Sequence, residues 1–171
     1  MDETALRKQI PDSVLPYPKG PYNRSKYLFW RIIYPLHNTG RDALLATGVI
    51  RHPYPSGRQD FILGNLVASR SVEDFVEYLG TQGFFNHFIA WRDSGEIVSV
   101  RRPVSFEWQY HLRIFADGEV RGHYEYTPES HPVWHMREVG QEERREEFLE
   151  FLGDWIVPVL ASAFASACRE D

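Results

Sequence analysis

From Val104 to Ile114 the chain alternates apolar and polar residues before Phe115 breaks the pattern, and beyond Ala116-Asp117-Gly118 a second run continues from Glu119 to Pro128. One row reads Val104, Phe106, Trp108, Tyr110, Leu112, Ile114, and the other Ser105, Glu107, Gln109, His111, Arg113. Period-two alternation of this length predicts a long antiparallel hairpin over 104–128 with one apolar face.

The turn decides which residues share a face. A two-residue Asp117-Gly118 turn would set Leu112 against His123 and Tyr110 against Glu125, burying Arg121, His123 and Glu125 among apolar side chains. Each unpaired buried polar group costs several kcal/mol. A three-residue loop, a type I turn followed by Gly118 in the left-handed region, instead pairs Ile114 with Val120, Leu112 with Gly122, Tyr110 with Tyr124 and Trp108 with Tyr126. Every member of that row can then be buried, each large one contributing ~1.5 to 3 kcal/mol before ordering costs. The second register is favoured. It sets His111 opposite His123, Arg113 opposite Arg121 and Gln109 opposite Glu125, with Phe115 as the one aromatic residue on the polar face.

The rest of the chain supplies a sheet and helices around this hairpin. Residues 1–25 hold Pro11, Pro16, Pro18 and Pro21, which exclude a continuous helix or central strand, so an extended segment is expected there. Strands are expected over 26–36, 61–68, 84–91 and 96–102, and the segment 42–51 reads as strand or short helix. Ser71-Val-Glu-Asp74 is a capping-box-like helix start, with Phe75, Tyr78 and Leu79 at helical spacing before Gly80. Gln141 to Val157 reads as a charged amphipathic helix carrying Phe148, Leu149, Leu152, Trp155 and Ile156 inward, and a final helical piece is expected over 161–168. These elements make residues 26–171 one α+β domain, an antiparallel meandering sheet with helices packed on the Trp108 face.

Composition narrows the functional classes. A chain of 171 residues fits one domain. Its single Cys168 excludes an internal disulfide framework, and no N-terminal segment reads as a signal peptide. The apolar-leaning tail 155–167 is too short to span a bilayer. A soluble cytoplasmic protein is the expectation. The net charge of −5 resides in the acidic C-terminal region, whereas residues 1–136 are balanced, so the basic footprint of a generic nucleic-acid binder is missing.

Chemistry concentrates on the hairpin's polar row. A carboxylate, two imidazoles and two guanidiniums on one sheet face could cleave a phosphodiester: Glu125 or His111 as base toward a 2'-hydroxyl, His123 as acid, Arg113 and Arg121 stabilising phosphorane charge. This makes RNA the first candidate partner, bound or cleaved without metal and with aromatic help from Phe115. The same His111, His123 and Glu125 form a possible two-histidine, one-carboxylate metal set, with His131 or His135 as a further donor. A third possibility is a non-catalytic module whose acidic helix docks a basic protein partner. Against all three stands the commoner arrangement, a solvated sheet face on which His, Arg, Glu and Gln are ordinary. Phosphate-loop, dinucleotide and nucleophile-elbow motifs are absent, and no cofactor is implied.

Overall fold

The computed structural model describes residues 61–86, 95–127 and 142–159, together with the single positions 28, 32, 39, 40, 43, 46–48 and 130. Within these, strands β1 (Ile62–Leu66), β2 (Phe85–Asn86), β3 (Glu96–Pro103), β4 (Trp108–Phe115), β5 (Glu119–Tyr126) and β6 (Ile156–Pro158) form one sheet in the order β2-β3-β4-β5-β1-β6. Every neighbouring pair is antiparallel. Helices α1 (Val72–Thr81) and α2 (Arg145–Leu152) complete the α+β architecture.

The β4–β5 hairpin adopts the three-residue-loop register. Ile114 pairs with Val120, Leu112 with Gly122, Tyr110 with Tyr124 and Trp108 with Tyr126, while His111 faces His123, Arg113 faces Arg121 and Gln109 faces Glu125. Gly118 takes φ +86° and its N–H donates to Phe115 O at 2.9 Å, which closes the loop as expected for a left-handed third position. The strand begins later than its alternation suggests. Ser105 Oγ accepts from the N–H groups of Glu107 and Trp108, and Val104 and Ser105 both donate to Trp108 O, so residues 104–107 form the tight connection between β3 and β4. Val104 and Phe106 are exposed as a result.

The apolar row builds the core. Tyr110, Leu112, Ile114, Val120 and Tyr124 bury against Phe75, Val76 and Leu79 of α1 and Phe148 and Leu152 of α2. Ser71 caps α1, its Oγ accepting from the Asp74 N–H at 3.0 Å. Phe148 meets the Tyr110 ring edge-on at 5.3 Å. Arg145 fastens α2 to the sheet edge by donating to Ile62 O at 2.6 Å, Leu63 O at 3.0 Å and Val159 O.

Gly122 sets how closely α2 approaches the hairpin. A Cβ placed there would lie 2.7 Å from Phe148 Cε1 and 3.0 Å from Leu63 Cδ1. Gly122→Ala is therefore expected to lower unfolding free energy by about 1–3 kcal/mol through overpacking. In a Phe148→Leu background the added loss should shrink, because the obstructing ring is gone; urea denaturation of the four chains measures this coupling.

Two sequence expectations change. The helix read over 141–157 stops at Leu152. Gly153 takes φ +52°, a 3-10 turn covers Gly153–Trp155, and Ile156 enters β6 opposite Leu66 of β1. In the region read as a strand over 26–36, the described residues Leu28 and Ile32 are helical and exposed. Gly40 is helical as well, and of the described residues in 42–51 Ala43 and Ala46 are helical while Thr47 and Gly48 form a turn. The extended segment 1–25, the second half of the 84–91 strand, His131 and His135, and the helical piece 161–168 lie outside the described residues.

Candidate functional site

The polar row of the hairpin is interior. His123 is 0%, Glu125 2% and His111 7% exposed, and Gln109, Arg113 and Arg121 are buried with them. A solvated sheet face, the commoner expectation for such residues, is therefore corrected. β3 widens the set: its register brings Arg101 opposite His111 and Ser99 opposite Arg113, and both are buried.

Burial of so many ionisable groups is tolerable because carboxylates and guanidiniums balance. Glu125, Glu96 and Glu119 stand against Arg101, Arg113 and Arg121, with Arg101 Nε 3.4 Å from Glu125 Oε1, Arg113 Nη1 3.7 Å from Glu96 Oε2 and Arg121 Nε 2.6 Å from Glu119 Oε1. Removing one partner of such a pair leaves an uncompensated buried charge. Phe115 lies 5.7 Å from the guanidinium carbon of each of Arg113 and Arg121, so its ring eases two like charges that sit opposite one another.

Glu125 is the hub. Gln109 Nε2 donates to its Oε1 at 2.9 Å, and His123 Nε2 meets its Oε2 at 2.8 Å. The two imidazoles pack edge to face at 4.9 Å and 75°, and Phe61 flanks His123 at 5.6 Å. Because a carboxylate only accepts, the contact at Oε2 assigns the proton of neutral His123 to Nε2. Its Nδ1 is then a bare lone pair, buried, with no hydrogen-bond partner among the described residues.

Both rings are held neutral. Burial lowers His111 well below the usual 6.5, Arg101 pushes it further, and Glu125 pulls the other way. Burial also lowers His123, opposed by Glu125 and reinforced by Arg113 and Arg101. The sign for stability follows: with folded values depressed, the unfolded chain binds more protons as pH falls below 6.5. The contribution is intact above the unfolded value and is lost on acidification toward the folded values. Each ring is expected to cost up to about 1.4 kcal/mol per pH unit across that window. Urea midpoints for the parent chain and for His111→Gln should keep a constant separation above pH 6.5 and converge below it.

His111, His123 and Glu125 also offer ligand atoms within 4.8 Å of one another. Two neutral imidazoles and a carboxylate suit a divalent transition metal in donor type. The surroundings weigh against it. A dication about 4 Å from a guanidinium meets repulsion on the order of 8 kcal/mol at an effective dielectric of about 20, which offsets part of the attraction a ligating carboxylate supplies from closer range. Arg101 already occupies that position beside Glu125 Oε1.

Of the residues expected to share a face, His111, His123, Glu125, Arg113 and Arg121 all do so; Ser99, Arg101 and Glu96 join them from β3. On the opposite face, Glu147 accepts from the Tyr110 hydroxyl and from Arg144, and Arg144 lies 3.8 Å over the Tyr124 ring. Burial and the Glu147 contact raise the Tyr110 hydroxyl above its usual value. The exposed acids of this region are Glu142, Glu143, Glu146 and Glu150. No helix among the described residues is long and apolar enough to cross a membrane. No protein-family profile matches the chain, and neither the curated proteins nor the solved structures give a match.

Proposed function

We propose that the chain is a metal-independent phosphodiester-cleaving enzyme in which His123 is the general base. The carrying observation is the buried Nδ1 lone pair of His123, on a ring whose other nitrogen is held by Glu125. A carboxylate on one ring nitrogen fixes the tautomer and steadies the imidazolium formed when the other takes a proton. His123 Nδ1 would accept the proton of a hydroxyl nucleophile as its oxygen bonds to phosphorus, and the imidazolium would return that proton to the departing oxygen. Arg113, whose field already acts on His123, would supply positive charge for the phosphorane.

A phosphodiester is favoured over other esters because guanidiniums recognise phosphate oxygens. RNA carries its own nucleophile in the 2'-hydroxyl, so one base and one cation suffice without a metal. His123 is enclosed, so this reading requires a compact group and an opening of this face to admit it. The test uses purified full chain with EDTA and three substrates: a bis(nitrophenyl) phosphate, a cyclic nucleoside monophosphate and a single-stranded RNA. RNA cleavage to cyclic-phosphate ends identifies the polymer as the source of the phosphodiester. Turnover of the small esters alone identifies a mononucleotide-sized substrate. No turnover of any of the three overturns the proposal.

A further inference from the structure

Hydrogen bonds around Glu125 have definite directions, because each side chain has a fixed stock of donors and acceptors. Arg101 Nη1 donates to Ser99 Oγ at 2.6 Å, and the same hydroxyl lies 3.0 Å from His111 Nε2. A guanidinium can only donate. It therefore occupies one of the hydroxyl's two lone pairs, and the hydroxyl can still donate its hydrogen to His111 Nε2 or accept from it, so the other ring nitrogen decides the direction.

His111 Nδ1 stands 3.4 Å from Glu125 Oε1. A bare lone pair there would face a carboxylate oxygen across a water-free gap, whereas an N–H at the same place is attracted to it. On the opposite side of the same carboxylate, His123 presents Nε2 to Oε2 at 2.8 Å.

We infer that Ser99, held by Arg101, is a positioning residue that locks His111 as the Nδ1–H tautomer, so that the two packed imidazoles carry opposite tautomers and the cluster has a single base, His123 Nδ1. His111 then neither gives nor takes a proton in turnover. It braces Glu125 and fills the space beside His123. The use made of the remaining lone pair rests on the phosphodiester reading; the tautomer assignment does not.

The experiment is two-bond proton–nitrogen correlation NMR on the full chain labelled with nitrogen-15 in histidine, recorded above pH 6.5, where both rings are neutral. The parent chain should show His111 protonated at Nδ1 and His123 protonated at Nε2, each in about tenfold excess over the other form, the ratio one net buried hydrogen bond supports. Ser99→Ala should shift His111 toward a mixture and leave His123 unchanged, and Ser99→Thr should restore the parent pattern. The same tautomer on both rings, or a His111 pattern indifferent to Ser99→Ala, would overturn the inference. Opposite tautomers in a chain that cleaves no phosphodiester would defeat the proposed activity and leave the assignment standing.

Discussion

Glu125→Leu is expected to lower unfolding free energy by about 3–5 kcal/mol, the cost of breaking a buried ion pair by deleting one partner. The carboxylate takes hydrogen bonds from Gln109 and His123 and lies 3.4 Å from both Arg101 Nε and His111 Nδ1, so its loss withdraws the neighbouring negative charge from a buried guanidinium and the hydrogen-bond acceptor from an imidazole at one stroke. The alternative is that burying the carboxylate already costs as much as it returns. The double variant Glu125→Leu with Arg101→Met separates these, since replacing both members of a buried pair by apolar residues is often near neutral. Recovery of most of the lost stability in the double variant is the expected result. A Glu125→Leu loss below about 1 kcal/mol in urea denaturation is what an exposed pair would give.

His123→Gln should abolish most phosphodiester turnover, by a factor of roughly 10² to 10⁴, the usual contribution of a positioned general base. The amide can still donate toward Glu125, so the network is kept while the basic lone pair is removed. In the parent chain the same base requires His123 neutral. The rate should therefore rise with pH through an apparent value below 6.5 and level off above it. A profile that keeps rising past 6.5, or full activity in His123→Gln, would move the base elsewhere.

The hairpin register was legible in the sequence because two local rules agreed: a left-handed Gly118 suits a three-residue loop, and only that loop buries the Trp108 row without charge. Ser99, Arg101 and Glu96 were not legible as partners of this row. Their position depends on how β3 aligns with β4, and the connection at Val104–Glu107 is an irregular turn built on Ser105 that fixes no register from sequence. Burial of the polar face was equally hidden. A row of His, Arg and Glu reads as solvated until the balancing carboxylates from separate strands are placed beside the arginines. Strand β6 was missed because Trp155 and Ile156 continue the helical period of α2, and only Gly153 marks where the backbone turns away. The position of β1 between β5 and β6 is a long-range pairing that no local pattern announces.

The central claim is that the hairpin's polar row is an internal imidazole centre gathered around Glu125. The most direct measurement is an NMR pH titration of the ring signals of His111 and His123 in the full chain. Both rings are expected to stay neutral as the pH passes down through 6.5, His123 protonating below it and His111 well below it. Two independent titrations near 6.5, with the fold intact, would contradict it.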